Sequence, residues 1–184
     1  MGELCGAAVM TATSVVSYIG AVPIVSDIVS RITSFLALEA DLLDDWRLED
    51  WFELFEPGGR YIVAPLQRHA ESAPEQALCL ILDDYDRLRA RVRHFAGAST
   101  WMEQPRSRTR RLMSNLRLLA PPTEEIVVRV NFVVYQFRNH ESWEFIGSAR
   151  YRLVTHEAEF RIRERFVHLD HESISKQRRI SIII

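Results

Sequence analysis

The amino-acid sequence predicts an α+β fold, with helices in the first half of the chain and an antiparallel sheet in the second. Before residue 100, apolar residues recur at spacings of three and four, which is typical of helices with one buried face. After residue 110, apolar and polar residues alternate with a period of two, which indicates half-buried strands. The chain has 184 residues, enough for one domain with an ordinary core. We therefore expect helices packed on one face of a curved antiparallel sheet.

The first helix is predicted from an apolar series between Ile24 and Leu43, and it runs to about Asp44. Asp45 is predicted to cap a short second helix, because aspartate accepts hydrogen bonds from free N–H groups at helix starts. Residues 57–59 read Pro-Gly-Gly and are predicted to end this helix, since proline cannot continue it and glycine supplies a turn.

A short strand is predicted over residues 61–63, where Pro65 stops the pairing. Asp83 and Asp84 are predicted to cap the next helix, whose apolar face repeats at helical spacing. Gly97 is predicted to close that helix, because glycine is favoured just past a helix end.

Four longer strands follow from the alternating pattern. Turns at Asn139-His140 and His156-Glu157 connect neighbouring strands, so the strands form an antiparallel meander. The four strands are predicted over residues 111–119, 125–138, 142–154 and 158–169.

Residues 1–22 are predicted to form a loosely ordered leader before a single domain over 23–184. Residues 4–26 carry no charge, but polar residues, glycine and proline interrupt them and no basic residue precedes them. We therefore expect neither a secretory signal nor a membrane span. The chain has only two cysteines, too few for a disulfide framework, which favours a cytoplasmic location.

The net charge of −2 argues against a nucleic-acid-binding protein, which would carry a strongly basic balance. The charges are nevertheless segregated along the chain. Residues 39–56 hold eight acidic side chains and one arginine, whereas residues 87–117 hold nine arginines and one acid. The two stretches pair with each other, face a partner, or simply form a solvated surface with some ion pairs, which contribute little when exposed.

No metal or cofactor is expected in this chain. Two cysteines exclude a four-cysteine zinc or iron–sulfur site, and neither Cys5 nor Cys79 lies close to a histidine in the way that a Rieske cluster needs. His168, Asp170 and His171 are the closest group of possible ligands. On a strand, Asp170 points to the opposite face from its immediate neighbours, so the three are not expected to converge.

A polar pocket between sheet and helices is an alternative source of function. There, His94 with Asp44 or Asp45 would form an acid–base pair for a dehydratase, isomerase or cyclase. The competing interpretation is that the aromatic residues are core, with their polar ends hydrogen-bonded. The predicted lining residues are Tyr61, His94, Trp101, Asn115, Tyr135 and Tyr151.

Five segments in order resemble the small (beta) subunit of bacterial Rieske-type aromatic-ring-hydroxylating dioxygenases, with the p-cumate dioxygenase type the most similar. The resemblance covers residues 24–184, and Pro105 followed by SRTR and then by Ser114-Asn115 is its most specific part. The segments are FLALEADLLDDWRLEDWFELFEPGGRYIVAP (35–65), LILDDYDRLRARVRHF (80–95), WMEQPRSRTRRLMSNLRL (101–118), VNFVVYQFRN (130–139) and FRIRERFVHLD (160–170).

This resemblance implies a nuclear transport factor 2-like (cystatin-like) cone and a structural role without catalytic residues in this chain. It also implies a large (alpha) subunit that carries a Rieske [2Fe-2S] cluster and a mononuclear non-haem iron and dihydroxylates an aromatic substrate. The usual assembly in the family has three large and three small subunits, and ferredoxin and reductase partners supply electrons.

Subunit contacts are expected at the Arg-rich stretch and at the apolar tail. Arginine is favoured at interfaces, and four isoleucines between residues 180 and 184 would expose an apolar patch unless they dock on the sheet or on a neighbouring subunit. The predicted interface residues are Trp101, Arg106, Arg108, Arg110, Asn115, Ile182 and Ile184.

Overall fold

A computed structural model describes residues 22–64, 79–97, 105–121, 124–171 and 180–184, with side chains from residue 27 onward. The chain divides into two units between Ser34 and Phe35. The described part of the first unit is helical, and everything that follows concerns the second unit. The predicted boundary between a leader and a domain near residue 22 stays a prediction.

The described residues form three helices and a six-stranded sheet. The strand order across the sheet is β2-β1-β6-β5-β4-β3. The helices are α1 (Val22–Asp44), α2 (Leu48–Phe52) and α3 (Tyr85–Ala96), and the strands are β1 (Phe55–Val63), β2 (Ile81–Asp83), β3 (Arg108–Leu118), β4 (Glu125–Arg138), β5 (Glu141–His156) and β6 (Glu159–Leu169). No helix in this part of the chain is long and apolar enough to cross a membrane.

Strands β3 to β6 form the predicted antiparallel meander, with bounds within three residues of those expected from the alternation. Asn139 and His140 have φ values of 51° and 65°, the left-handed backbone that a tight hairpin turn requires. The second tight turn is at Glu157 and Ala158, with φ values of 49° and 70°. It lies one residue later than predicted.

Strand β1 differs from the prediction in two ways. It runs parallel to β6, so the sheet is mixed rather than wholly antiparallel. It also begins at Phe55 and continues through Pro57, where a helix end was expected. Gly58 has a φ of 86°, and a register shift follows Phe55, so an irregularity absorbs the proline without ending the strand. A Cβ on Gly59 would lie 2.8 Å from the Ile162 oxygen, which requires glycine there.

The predicted cap of the second helix was wrong. Helix α1 ends at Asp44 as expected, but the residue preceding α2 is Arg47, and no side chain caps that helix. Asp45 lies in the intervening turn, where its main-chain N–H donates to the Asp41 main-chain oxygen at 2.9 Å. Trp46 has a φ of 58°, so the turn between the two helices contains one residue with left-handed backbone.

Helix α3 begins and ends as the sequence predicted. Asp84 is its N-cap and accepts a hydrogen bond from the Arg87 main-chain N–H at 2.9 Å, and Gly97 is its C-cap. Asp83, the other predicted cap, lies on β2 instead and forms an ion pair with Arg91.

The core lies between residues 35–52 and one face of the sheet, here called the inner face. Phe35 and Phe160 pack edge-to-face with ring centroids 5.9 Å apart, and Trp51 and Tyr61 do so at 6.0 Å. The alternate residues of β3, β4 and β5 point to the opposite, outer face. The predicted α+β fold is confirmed, with helices on one face of the sheet.

Candidate functional site

A buried cluster of polar and charged side chains lies on the inner face, and Glu39 on helix α1 is at its centre. The Glu39 side chain is fully buried. Its carboxylate accepts hydrogen bonds from Trp51 Nε1 at 3.0 Å and from the Tyr151 hydroxyl at 2.7 Å. Arg165 Nε lies 3.0 Å from the same carboxylate and 3.0 Å from the Tyr151 oxygen. Charge and hydrogen-bonding capacity are therefore matched within the cluster.

The last residues of the sequence pack directly against this cluster. Residues 182–184 are buried within the chain itself. Arg165 donates to the Ile184 main-chain oxygen, and the Tyr61 hydroxyl is 3.1 Å from that oxygen. Arg111 donates to the Ile183 oxygen. Two buried arginines and a tyrosine thus hold the backbone of the tail.

Arg111 is balanced by Asp44, which helix α1 presents at its end. The Arg111 guanidinium lies 2.5 Å from the Asp44 carboxylate, which also accepts from the Thr109 hydroxyl at 2.8 Å. The Arg111 main-chain N–H donates to the same carboxylate at 2.9 Å. Asp44 is bonded to these donors and not to His94, so it does not form the predicted acid–base pair.

Burial shifts the pKa values of the tyrosines and arginines in and beside the cluster. It raises the pKa of Tyr61, and Arg165 offsets only part of this effect. It also raises the pKa of Tyr151, with a further rise from the neighbouring Glu39 carboxylate. Burial lowers the pKa of Arg111, partly offset by Asp44, while the Tyr151 and Glu39 oxygens outweigh burial and raise the pKa of Arg165. At neutral pH the tyrosines are neutral donors and the arginines are charged.

The position of Glu39 could have been found in the sequence. Phe35, Leu36, Leu42 and Leu43 form the buried face of helix α1 in this unit, and Glu39 falls at the helical spacing of that same face. A charged residue on an apolar helix face needs a buried partner. The sequence pattern therefore indicates the acid, although it does not name its partner.

The inward position of Arg165 does not follow from period-two alternation, because a register shift precedes it in strand β6. Alternation from Phe160 and Ile162, both buried, would place Arg165 on the outer face. The pairing of β5 with β6 shifts after Arg152, so that Tyr151 pairs with Arg165 and both point inward. A bulge of this kind exchanges the faces of all later residues.

A small cavity lies beside Arg111 and the tail. The adjoining cavity has a volume of about 10 Å³, which is room for about one water molecule. The residues that line it are Leu43, Trp46, Leu48, Thr109, Arg111, Ile182 and Ile183.

A larger open groove of about 760 Å³ lies elsewhere, at the start of β1 and the end of β5. Its lining is strongly charged, and some of these charges are paired. Arg163 lies 2.5 Å from the Glu56 carboxylate and 3.4 Å from the Glu125 carboxylate. These contacts are ion pairs that join β1, β4 and β6.

The outer face of the sheet carries large exposed apolar side chains. Leu112 on β3 is 55% exposed and Ile146 on β5 is 43% exposed. Both pair in register with Val133 on β4, so the three form one row across the sheet. Tyr135 and Phe137 continue the patch along β4, with stacked rings 6.3 Å apart. Large contiguous exposed apolar patches are often interaction sites, so this row is a candidate for one.

Arginines flank this apolar patch on the same outer face. Arg108 pairs in register with Phe137 and Arg110 with Tyr135, so each side chain lies beside an exposed ring. Arg117 pairs with Arg129, which places two like charges directly opposite each other. Within the described ranges these four arginines form no ion pair.

The predicted interface residues separate into two groups. Arg108, Arg110 and Asn115 are exposed on β3, at the edge of the sheet. Asn115 has a φ of 55° and sits at a register shift in that strand. Arg106 precedes β3 and lies 5.4 Å from the Trp46 ring.

The other group consists of two isoleucines of the tail, which lie in the interior, and Trp101. Ile182 is 3% exposed and Ile184 is fully buried within their own chain, so their side chains offer almost no surface to another subunit. Trp101 lies outside the described residues. Strand alternation explains the exposure of the β3 arginines, since Arg108 and Arg110 point outward while Thr109 and Arg111 point inward to the tail.

The predicted pocket residues are not brought together. Tyr61 and Tyr151 lie in the buried cluster, whereas Tyr135 and Asn115 are exposed on β4 and β3. His94 is exposed on helix α3, and Trp101 again lies outside the described residues. The tyrosines of the inner face act as core residues with hydrogen-bonded hydroxyls.

His168, Asp170 and His171 were the closest group of possible metal ligands in the sequence, and two of them form other contacts. His171 Nε2 accepts a hydrogen bond from the Ile146 N–H at 3.1 Å. His168 lies 3.6 Å from Asp170 and is largely buried. Within the part of the chain that the structure describes, no group of three or more His, Cys, Asp or Glu side chains could hold a metal ion.

Comparison with known proteins relates the chain to a family and to its fold. The family model described as the ring hydroxylating beta subunit matches residues 38–176. The small oxygenase component of the p-cumate 2,3-dioxygenase system of Pseudomonas putida is 39% identical over 155 residues, which are 84% of this chain and 86% of that protein.

Two solved structures share the fold. The beta subunit of benzoate 1,2-dioxygenase from Burkholderia mallei has a TM-score of 0.67 at 20% identity, over 83% of this chain and 95% of that one. Naphthalene 1,2-dioxygenase with indole bound in its active site has a TM-score of 0.67 at 19% identity, over 83% of each chain.

Proposed function

Because the chain belongs to the family of ring-hydroxylating beta subunits, we propose that it supports a large oxygenase subunit and contributes no catalytic residue itself. It is the small subunit of a ring-hydroxylating dioxygenase. In this proposal the large subunit carries the Rieske [2Fe-2S] cluster and the mononuclear non-haem iron, and it binds and dihydroxylates the aromatic substrate.

The close packing of the interior that the described residues form is the observation that supports a structural role. Glu39, Tyr151 and Arg165 bond to one another, and main-chain oxygens of the tail accept hydrogen bonds from Arg165 and Arg111. The cavity beside them has room for about one water. A stand-alone dehydratase, isomerase or cyclase would need an accessible polar pocket in this place. The buried cluster instead stabilises the fold that the large subunit recognises.

The proposed assembly contains three large and three small subunits in the cytoplasm, with ferredoxin and reductase supplying electrons to the large subunit. We assign the contacts with neighbouring subunits to Trp101, Arg106, Arg108, Arg110 and Asn115. The exposed arginines and rings of β3 and β4 fit this role, since interfaces are enriched in arginine and aromatic residues. Ile182 and Ile184 then act indirectly, by holding the inner face together.

Co-expression with the large subunit tests this function. The full-length chain carries an affinity tag, and the purified material is examined by size-exclusion chromatography and assayed for iron. We expect co-elution of both subunits, with iron and turnover of an aromatic substrate only in fractions that contain the large subunit. A chain that stays apart from the large subunit and turns over a substrate alone would overturn the proposal.

A further inference from the structure

We propose that the inner face of the sheet is a binding site for a short aliphatic peptide, and that residues 180–184 of the chain occupy it as an exchangeable ligand. The site consists of the side chains that surround these residues and is here called the tail site. The same peptide supplied from outside would bind there when the chain's own tail cannot. The inference is independent of the proposed function, because it concerns contacts within one chain.

Side chains of the sheet hold the tail in the way that a protein holds a bound peptide. Residues 180–184 belong to no helix or strand. The Tyr61 hydroxyl donates to the Ile184 main-chain oxygen at 3.1 Å and accepts from the Ile184 N–H at 3.2 Å. Arg165 donates to the same oxygen. Both main-chain groups of Ile184 are therefore recognised by side chains.

Two further strands contact the tail before its last residue. Arg111 on β3 donates to the Ile183 main-chain oxygen, and the Gln136 amide on β4 donates to the Ser181 hydroxyl at 3.2 Å. Together with the two residues above, these side chains come from four different strands of the sheet. The site thus recognises peptide groups and one small hydroxyl.

The side chains of the tail define the apolar part of the ligand. Ile182 and Ile183 are each 3% exposed and Ile184 is fully buried. Burial of aliphatic surface is the main favourable contribution to binding of this kind. A charged or strongly polar side chain in these places would be buried without a partner, which is unfavourable. The ligand class is therefore an extended peptide with consecutive aliphatic side chains.

The charges of the tail site balance without any contribution from the tail. Arg165 lies 3.0 Å from the Glu39 carboxylate, and Arg111 forms an ion pair with Asp44. These two buried pairs carry no net charge, so an uncharged peptide oxygen suits the site better than an additional anion. Each arginine would keep its carboxylate when the tail leaves, and the site is therefore preformed for a ligand.

One donor of the tail site is left over when the tail is bound. Arg111 Nε is buried and has no hydrogen-bond partner among the described residues. Arg111 also lines the cavity of about 10 Å³, together with Ile182 and Ile183. An unpaired buried donor is unfavourable, so the tail does not satisfy every group around it. The spare donor indicates a site that accepts the tail without being completely filled by it.

A full-length variant with a disabled tail makes the site accessible to a peptide from outside. This variant carries Ile182→Ser, Ile183→Ser and Ile184→Ser. The ligand is the peptide QRRISIII, residues 177–184, labelled with fluorescein at its N-terminus and kept soluble by its arginines. The control peptide has the same three isoleucines replaced by serine. Fluorescence anisotropy measures binding, and circular dichroism with thermal unfolding measures folding.

We expect the tail-disabled variant to bind the peptide on the order of 100-fold more tightly than the unaltered chain does. The reason is that a tethered tail competes at a millimolar effective concentration. Adding Tyr61→Phe to the variant should weaken binding roughly 10-fold, because two hydrogen bonds to Ile184 are lost. Tyr135→Phe, on the outer face, is the matched control and should leave binding unchanged.

A tail-disabled variant that is folded but does not bind the peptide would overturn the inference. If that variant is unfolded, the peptide has to restore the native circular dichroism spectrum, and failure to do so would also overturn it. Equal binding of the peptide by the unaltered chain, or equal binding of the serine control, would place the contact outside the tail site. None of these measurements involves the large subunit, so the proposed function is tested separately.

Discussion

The two faces of the sheet use arginine in opposite ways. On the inner face, Arg165 and Arg111 are buried, and each has a carboxylate partner and a main-chain oxygen of the tail. On the outer face, Arg108 and Arg110 are exposed beside aromatic rings and have no acidic partner among the described residues. Matched buried charge serves the fold, whereas unmatched exposed charge is available for assembly.

The largest expected effect follows from breaking a buried pair. Arg165→Ala removes the partner of Glu39 and the donor to Ile184, which leaves a buried carboxylate without its counter-charge. Loss of one partner in such a pair costs about 3–5 kcal/mol of unfolding free energy. Urea denaturation measures this loss, and Arg108→Ala on the outer face is the control, with an expected change within about 0.5 kcal/mol. Equal effects would abolish the distinction between the faces.

Alanine substitution of one buried and one exposed isoleucine tests the same difference between the two faces for apolar side chains. Ile184 is fully buried and Ile146 is 43% exposed. Ile184→Ala should lower the unfolding free energy by about 2–5 kcal/mol through lost burial and an internal cavity. Ile146→Ala should cost less than about 1 kcal/mol, because its methyl groups already contact water. If the order of the two midpoints in urea were reversed, the packing of the tail would be wrong.

Alkaline pH should destabilise the inner face. Burial raises the pKa of Tyr61 and Tyr151, so both stay protonated in the folded chain while the unfolded chain loses their protons near pH 10. The unfolding free energy therefore falls as the pH rises above about 10, by up to about 1.4 kcal/mol per pH unit for each tyrosine. Tyr151→Phe should reduce this slope by about half. An unchanged slope between about pH 10 and 11 in that variant would refute the assigned protonation.

The smallest expected effect comes from breaking an exposed ion pair, which distinguishes the contribution of burial from that of pairing. Arg47 and Asp50 form an ion pair at 2.6 Å, but their side chains are 58% and 53% exposed. Arg47→Ala should change the unfolding free energy by only about 0–1 kcal/mol, since water and salt screen exposed pairs. A loss as large as that of Arg165→Ala, in the same urea titration, would show that pairing alone stabilises this protein and that burial adds nothing.

The sequence could predict the elements whose signals are local. Period-two alternation located strands β3 to β6 because each residue's face depends only on its neighbours, and Asp84 and Gly97 marked both ends of helix α3. The parallel pairing of β1 with β6 could not be predicted, since it joins residues a hundred positions apart. The resemblance to a family supplied the function, which composition alone could not.

The candidate site was only partly predictable for the same reason. Arg108 and Arg110 were predicted to lie just before a strand that begins at residue 111, whereas strand β3 already begins at Arg108. Both side chains are exposed, and their role stays a prediction. The cluster around Glu39 was missed because Arg165 reaches it through a register shift, which alternation does not reveal. The apolar tail was expected to dock on the sheet or on another subunit, and the structure places it inside its own chain.

Hydroxyl-radical footprinting of the free chain and of the assembled oxygenase tests the contrast between the two faces most directly. Mass spectrometry reads the oxidation of each side chain in both states. We expect Leu112, Tyr135 and Phe137 to react in the free chain and to become protected several-fold on assembly, while Tyr61 and Tyr151 stay protected in both states. Equal oxidation of the outer residues before and after assembly would contradict the account.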